Sequence, residues 1–256
     1  MSSTFITIGS LEIKWYSILL LLAFTIGYLL VVKQSKKINL SKLELTDLLF
    51  YLIIVCLLGA RIYYVLFNLD YYLKYPVDIL KVWEGGLAIH GGIIFGIIYL
   101  LIYCYKKKMN ILNFTDIIVL PLALGQAIGR WGNFFNQEAY GPITTYNTLK
   151  SLHIPQFIID GMYINNHYYH PTFFYESIWC LIISIVLIML MKLKVEKKGL
   201  FTSLYLIMYG IERFFIEGMR QDSLMFFNLK IAQVVSIIMI IIGVVLLIKC
   251  RRIYDK

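Results

Sequence analysis

The sequence predicts an all-α polytopic membrane protein with about seven transmembrane helices and a small external head region. Of its 256 residues, 60% are hydrophobic and only 15% are charged, whereas a soluble domain carries about 25% charged residues. The apolar residues form long runs, and Lys and Arg residues gather between those runs. A water-soluble core could not bury this much apolar surface, so a lipid bilayer is the expected solvent.

Seven apolar runs are long enough to cross a bilayer, which takes about 20 residues in a helix. They predict a single membrane domain over residues 1–256, with spans near 15–32, 46–66, 86–105, 114–130, 171–191, 200–217 and 230–248. The longest external connection, 131–170, predicts the head region. Within it, Asp160-Gly161 stands between two short apolar pieces, a pattern typical of a β-hairpin.

The basic residues predict the orientation of the spans. Most of the 24 Lys and Arg residues lie in the alternate connections 33–42, 106–108 and 192–198 and after the last span. The positive-inside rule places these segments in the cytoplasm, so the N-terminus is predicted outside and the C-terminus inside. In the first span the basic residues follow the apolar run, so we expect a retained span and not a cleaved signal peptide.

The composition argues against several other classes of protein. The net charge of +9 comes from short clusters at span ends, without the basic stripe of a nucleic-acid-binding protein. The four cysteines include no C-x-x-C pair, and the four histidines include no H-E-x-x-H pattern. We therefore expect no nucleic-acid partner, no disulfide framework, no metal site and no cofactor.

Polar residues inside the apolar runs need a reason, because a charge at the bilayer centre costs roughly 2.5–3.5 kcal/mol on insertion scales. The first is His90, which stands between Gly85-Gly86 and Gly91-Gly92 at the start of the third span. The glycines permit an interrupted helix and close backbone approach. His90 is then a base, a phosphate ligand or a helix-packing hydrogen bonder, and all three alternatives stay open at this stage.

A second polar stretch, from Gly129 to Gly141, leaves the fourth span. It carries an arginine, two amides and a carboxylate, namely Arg130, Asn133, Asn136 and Glu138. One interpretation is an interfacial anchor with an ion pair between Arg130 and Glu138. An anchor needs an arginine and an aromatic residue but neither glycines nor amides, so the pattern favours a functional site.

A third polar group, from His170 to Glu176, lies at the start of the fifth span. His170-Pro171 suits the start of a helix. Glu176 lies so far inside the following apolar run that it should pair with a cation from another helix. Arg61 in the second span is one candidate for that cation, as a neutraliser of Glu176 or Glu217.

The sixth span carries a polar stripe, because Tyr209, Arg213, Glu217 and Arg220 fall within about 80° of one another at about 100° per residue. Two arginines with one carboxylate leave net positive charge facing the bundle interior. The planar fork of arginine suits phosphate. Together with Arg130, the stripe predicts an anionic ligand at the outer leaflet, for which a phospholipid head group is the natural candidate.

Two other classes of protein fit parts of this pattern. A secondary transporter would also carry intramembrane charges and broken helices, but it would show an internal repeat and polar groups at mid-bilayer. A lipid-binding scaffold would also hold a phospholipid, but it would not need His90 beside two arginines.

The polar segments resemble the signature of the prolipoprotein diacylglyceryl transferase family, over residues 10–248. The matching segments are Ile13-Lys-Trp15-Tyr16, Gly59-Ala-Arg61-Ile-Tyr63, His90-Gly91-Gly92, Gly129 to Gly141, His170-Pro171 with Tyr175-Glu176, and Tyr209-Gly210 with Arg213-Phe214 and Glu217. The stretch from Arg130 to Gly141 is the most specific. The chain departs at Trp131, where the family often has a small aliphatic residue, but no departure removes a functional group.

The resemblance implies a transferase of the bacterial cytoplasmic (inner) membrane. In that reaction the diacylglyceryl group of phosphatidylglycerol moves to the lipobox cysteine of a prolipoprotein signal peptide. A thioether forms and glycerol 1-phosphate leaves, as the first step of lipoprotein maturation. The implied partners are phosphatidylglycerol, prolipoprotein signal peptides and membrane lipids.

The resemblance and the chemistry together assign roles to individual residues. The catalytic candidates are His90, Arg213 and Tyr16, the phosphatidylglycerol-binding candidates are Arg130, Asn133 and Arg220, and the supporting candidates are Asn136, Glu138, Gly141, His170, Tyr209 and Glu217. His90 is the candidate base for the thiol, and Glu138 and Glu217 are expected to fix the arginines in place.

Overall fold

The computed structural model describes residues 3–9, 11–195, 197–220, 225–226 and 229–252. Helices dominate it, and seven of those described are long. The helices are α1 (Trp15–Lys33), α2 (Lys42–Leu66), α3 (Leu69–Tyr72), α4 (Ile89–Lys106), α5 (Ile111–Asn136), α6 (Tyr146–Ser151), α7 (Gln156–Gly161), α8 (Thr172–Lys192), α9 (Leu200–Met219) and α10 (Ile231–Arg252). Three 3₁₀ helices cover Ser35–Ile38, Pro76–Leu80 and Val82–Glu84.

The strands are short and pair only in small antiparallel sheets. They are β1 (Thr4–Ile8), β2 (Leu11–Lys14), β3 (Ile143–Thr144), β4 (Tyr163–Ile164), β5 (His167–Tyr169), β6 (Met225–Phe226) and β7 (Leu229–Lys230). In the described residues β1 pairs with β2, β6 pairs with β7, and a three-stranded sheet has the order β3-β5-β4.

The long helices confirm the predicted all-α polytopic membrane fold. In the described chain, α1, α2, α4, α5, α8 and α10 are long and apolar enough to cross a membrane. The seventh, α9, has 20 residues, but it carries Glu212, Arg213 and Glu217 near its C-terminal end. Each predicted span overlaps one of these seven helices. The chain therefore crosses the membrane several times.

The described chain forms two compact units, one of Met1–Val31 with Thr115–Lys256 and the other of Val32–Phe114. In the Val32–Phe114 unit, α2 packs closely on α4. A Cβ at Gly91 would collide with the carbonyl of Gly59 and with the side chain of Tyr63. Glycine at these positions therefore allows the two backbones to touch.

In the larger unit, α9 packs between α8 and α10. A Cβ at Gly210 would lie 3.0 Å from the carbonyl oxygen of Ser236 on α10, so glycine permits this close approach. The start of α9 is held by α5, because Asp116 accepts hydrogen bonds from the backbone N–H groups of Gly199 at 2.6 Å and Thr202 at 2.8 Å. These bonds satisfy donors that a helix N-terminus leaves without partners.

The head region is built differently from the sequence prediction. Asp160-Gly161 does not turn a hairpin, because both residues lie within or at the end of α7. The hairpin joins β4 to β5 through Asn165 and Asn166, whose φ values are 48° and 66°. A two-residue hairpin of this kind needs positive φ at both positions, which asparagine tolerates. The predicted hairpin at Asp160-Gly161 is therefore wrong, and the hairpin found here lies further along the chain.

Candidate active site

The site is organised around Glu176, a carboxylate on α8 that is only 2% exposed. Its Oε2 lies 2.8 Å from Nε of Arg130 on α5. Its Oε1 accepts a hydrogen bond of 2.9 Å from Nη1 of Arg213 on α9. Glu176 was expected to pair with a cation from another helix, and it pairs with two. Three helices are thereby joined through one buried carboxylate.

Neighbouring hydrogen bonds fix the register of these helices. Trp131 donates its indole N–H to Ser177 Oγ at 3.1 Å, and Ser177 donates to the carbonyl of Ala127 at 2.9 Å. Both bonds join α5 to α8 beside the ion pair. Trp179 on α8 also donates to the carbonyl of Met208 on α9, at 2.9 Å. The arginines and the carboxylate therefore sit on a rigid frame.

The polar stripe of α9 is shorter than predicted. Arg213 and Glu217 form the expected pair one turn apart, with Nη2 of Arg213 lying 2.6 Å from Oε2 of Glu217. Arg220 lies beyond the helix, with an extended backbone of φ −72° and ψ 140°. Its carbonyl accepts a hydrogen bond of 2.9 Å from Lys230 Nζ. Arg220 therefore does not continue the helical face of Arg213 and Glu217.

Glu212 is a buried member of α9 that the sequence analysis missed. It is 6% exposed, and neither of its carboxylate oxygens has a hydrogen-bond partner among the described residues. A carboxylate deep in an apolar run was the signal that could have identified it.

Glu176 and Glu212 also change the charge of the site. The expected surplus of positive charge was counted on Arg213, Arg220 and Glu217 alone. The buried cluster instead sets two arginines, Arg130 and Arg213, against the carboxylates of Glu176, Glu212 and Glu217. The expectation of net positive charge was therefore wrong for this cluster.

The two asparagines of the signature stretch are held by Glu138. Its Oε1 accepts hydrogen bonds from the side-chain amides of Asn133 at 2.9 Å and Asn136 at 3.3 Å. The anchor interpretation, with an ion pair between Arg130 and Glu138, is wrong because Arg130 pairs with Glu176. The expectation that Glu138 fixes an arginine is wrong for the same reason. Glu138 instead presents two amide side chains at the end of α5.

Gly141 and His170 are brought together where the chain enters α8. The N–H of Gly141 donates to the carbonyl of His170 at 2.9 Å, and a Cβ at Gly141 would lie 2.9 Å from the Cβ of His170. The His170 ring nitrogen Nδ1 lies 3.1 Å from the hydroxyl of Tyr175. Partial burial lowers the pKa of His170 below its ordinary value.

The two tyrosines of the prediction also lie in this unit. Tyr16 is the second residue of α1 and packs on Gly132 of α5, where a Cβ would collide with the tyrosine ring. Tyr16 remains 41% exposed. Tyr209 stacks on Tyr205 with ring centroids 5.5 Å apart, and Tyr205 donates its hydroxyl hydrogen to Gln126 at 3.0 Å. Tyr16 is therefore accessible to a ligand, whereas Tyr209 is part of the packing between helices.

His90 belongs to the Val32–Phe114 unit, as the second residue of α4. Its side chain is exposed, and its ring centroid lies 6.3 Å from that of Tyr63. In the described part of the chain it has no hydrogen-bond partner, so the structure gives no support to the helix-packing interpretation. The roles of base and phosphate ligand both fit an accessible imidazole.

Arg61 is buried in the same unit and holds the segment that leads to α4. Its guanidinium donates to the carbonyls of Asp78, of Ile79 at 2.9 Å, and of Gly85 and Gly86 at 2.8 Å each. Backbone carbonyls therefore satisfy this arginine, which was expected to neutralise a glutamate.

The fold and the site together define a multi-pass α-helical membrane protein with a buried arginine–carboxylate cluster. A family model described as prolipoprotein diacylglyceryl transferase matches residues 3–249. The chain belongs to this family, which confirms the resemblance seen in its motifs.

Similar proteins cover nearly the whole chain. The phosphatidylglycerol–prolipoprotein diacylglyceryl transferase of Staphylococcus haemolyticus is 47% identical over 254 residues, 98% of this chain and 89% of the relative. The protein of that name from Clostridium novyi is 46% identical over 242 residues, 94% of this chain and 93% of the relative. The one from Staphylococcus saprophyticus is 45% identical over 250 residues, 97% of this chain and 89% of the relative.

Proposed function

We propose that this chain transfers the diacylglyceryl group of phosphatidylglycerol to the lipobox cysteine thiol of prolipoproteins. The reaction forms a thioether, releases glycerol 1-phosphate and is the first step of bacterial lipoprotein maturation. Membership of the family and the names of its relatives support this function. The structural observation that carries it is the pair of partly buried arginines, Arg130 and Arg213, held on the buried carboxylate of Glu176.

The proposed chemistry explains why the site needs fixed positive groups. The thiol of the prolipoprotein, with a pKa of about 8.5, must lose its proton to attack well. Its sulfur attacks the glycerol carbon that bears the phosphate ester, so a C–S bond forms while the C–O bond breaks. The electron pair leaves on the phosphate oxygen. Arginines fixed in a low-dielectric site stabilise that growing charge most in the transition state.

Arg130 and Arg213 are the proposed phosphate ligands, with Arg220 as a weaker third. Among the described residues, the ion pair through Nε is the one polar contact of the Arg130 guanidinium. Its two terminal amino groups can therefore donate to phosphate oxygens. Asn133 and Asn136, both oriented by Glu138, are suited to hold the glycerol hydroxyls.

Two accessible side chains are assigned to the uptake of the thiol proton and to the orientation of the substrates. His90 is the proposed general base for the thiol, because its exposed imidazole can reach a substrate and offers a ring nitrogen that takes up a proton. Tyr16, with its exposed ring at the start of α1, is proposed to orient the lipid head group or the thiol.

The proposed location is the bacterial cytoplasmic membrane, with the N-terminus outside and the C-terminus in the cytoplasm. The concentration of basic residues in alternate connections supports this orientation. The proposed partners are phosphatidylglycerol, the lipobox signal peptides of prolipoproteins and the surrounding membrane lipids. Both substrates are held in the membrane, so they would enter the site from the bilayer.

A transfer assay tests the proposed function. Purified protein in detergent is mixed with phosphatidylglycerol labelled in its glyceride part and with a lipobox peptide that has one cysteine. We expect a labelled thioether on the peptide. The product should disappear when the peptide cysteine is replaced by serine, and also with Arg130→Gln in the enzyme.

The absence of transfer by folded wild-type protein that still binds the lipid would contradict the proposal. In that case, uptake of a solute into vesicles would identify a transporter. Binding of phosphatidylglycerol without its consumption would identify a scaffold.

A further inference from the structure

Glu176 differs from the other carboxylates of the site because it contacts both arginines. Glu217 pairs with Arg213 within the same helix, and Glu212 has no hydrogen-bond partner among the described residues. Glu176 joins residues of two other helices, Arg130 on α5 and Arg213 on α9, from its own place on α8. Its position relative to both guanidinium groups is therefore set by the packing of three helices.

The two arginines are held in different ways. Arg213 uses both of its terminal amino groups on carboxylates, Nη1 on Glu176 and Nη2 on Glu217. Arg130 is held at Nε. This contact restrains the Nε edge of the Arg130 guanidinium and leaves its terminal amino groups for a ligand. A phosphate oxygen is the acceptor that such a pair of N–H groups binds best.

We propose that Glu176 is a positioning residue, which holds Arg130 and Arg213 in the geometry that stabilises the leaving phosphate. This inference rests on the proposed function, since it assigns a role within the same site. Glu176 touches neither the lipid carbon nor the thiol in this scheme. It acts through the arginines. The names of the family and of its relatives do not assign Glu176 this role.

The charge of Glu176 has two opposite effects on the substrate. It opposes binding of the phosphate, because a negative group lies beside the arginines that receive another negative group. It also fixes the arginines, and fixed donors stabilise a transition state better than mobile ones. Removal of the charge should therefore weaken the chemical step without weakening the binding of phosphatidylglycerol.

Glu176→Gln separates these two effects in the transfer assay. An amide accepts through one oxygen only, and its NH₂ group faces the other arginine, so the clamp on Arg130 and Arg213 is lost. We expect kcat to fall roughly tenfold to a hundredfold, the size expected for losing hydrogen bonds to a charged group. The KM for phosphatidylglycerol should stay the same or fall. A role in folding alone would not produce this split.

Two variants serve as controls. Glu217→Gln loses a partner of Arg213 but leaves the link to Arg130, so its kcat should fall less than that of Glu176→Gln. Glu44→Gln removes an exposed ion pair with Lys107 and should leave both constants unchanged. Wild-type kcat in Glu176→Gln protein, or a rise in KM with kcat unchanged, would overturn the positioning role.

A second variant covers the case in which Glu176→Gln does not fold. Glu176→Asp keeps the charge but is one methylene shorter, so it can reach one arginine but not both. Its kcat should lie between those of wild type and Glu176→Gln, with an unchanged KM. Loss of folding in both variants would assign Glu176 a structural role and overturn the proposal. If wild-type protein showed no transfer, that result would instead contradict the proposed function itself.

Discussion

The indole N–H of Trp131 donates a hydrogen bond of 3.1 Å to the hydroxyl oxygen of Ser177. Each residue is next in sequence to one member of the ion pair between Arg130 and Glu176. The bond therefore fixes the register of α5 against α8 where the site needs it. Trp131 is also the position at which the sequence analysis expected a departure from the family pattern, and its side chain joins the two helices here.

Ser177→Ala is predicted to destabilise the protein. The substitution leaves the partly buried indole N–H of Trp131 without its partner, which costs about 1–3 kcal/mol. We expect a lower unfolding temperature in detergent and a several-fold loss of kcat, because α5 and α8 are no longer held in register. The double variant Trp131→Phe with Ser177→Ala should recover part of the stability, since no buried donor is then left unpaired. Additive losses in the double variant would argue against the proposed coupling.

Three glycines of the signature stretch make a matched series for substitution by alanine. At Gly132 a Cβ would collide with the ring of Tyr16, and at Gly141 it would lie 2.9 Å from the Cβ of His170. At Gly129 nothing lies within 4 Å of the added atom. We predict that Gly132→Ala and Gly141→Ala lose about 1–3 kcal/mol of stability through overpacking, together with most of the transfer activity.

Gly129→Ala is the control in this series, and it should be neutral or slightly stabilising because alanine is the better helix former. Unfolding temperatures and initial transfer rates of the three variants give the comparison. Equal effects at all three positions would show that the contacts of the added Cβ do not decide the outcome.

The helices of the fold could be predicted because each long apolar run is expected to cross a bilayer as a helix. Where the prediction was wrong, short-range geometry decided the outcome. The pair Asp160-Gly161 is typical of a turn, but both residues belong to α7. The neighbouring pair Asn165-Asn166 makes the turn instead. A sequence pattern of this kind does not distinguish two adjacent turn candidates, because both offer residues that tolerate positive φ.

The need for a partner at Glu176 could be predicted, but the identity of that partner and the presence of Glu212 in the cluster could not. A buried charge at Glu176 requires a partner, and that requirement is visible in sequence. Which cation pairs with Glu176 depends on how helices that are far apart in sequence face one another. Arg61 was the candidate named from the sequence, yet it binds backbone carbonyls while Arg130 binds Glu176.

Arg61→Lys is predicted to release the segment that precedes α4. A lysine keeps the charge, but one ammonium group cannot reach the carbonyls of Ile79, Gly85 and Gly86 together. We expect a loss of about 1.5–3 kcal/mol for each hydrogen bond that lysine does not remake, because the donor of each bond is charged. Limited proteolysis should show faster cleavage within residues 76–86.

Lys81→Gln is the matched control for this prediction. It removes a partly exposed ion pair with Asp78, of 2.7 Å, from the same segment. Exposed ion pairs contribute little to stability, so cleavage should proceed at the wild-type rate. Equal cleavage of both variants would show that the segment depends on its surface charge and not on Arg61.

His170 is predicted to make the stability of the protein depend on pH. Burial lowers its pKa below the ordinary value of 6.5, so the unfolded chain binds a proton more readily than the folded chain does. Stability should therefore fall as the pH drops through and below 6.5, and it should be unaffected by this group at higher pH.

His170→Gln has no such proton to bind, so the plot of unfolding temperature against pH should become flatter in that window. His153→Gln is the control, since His153 is an exposed histidine of the same head region and should leave the slope as it is. An unchanged slope in His170→Gln protein would assign the pH dependence to another group.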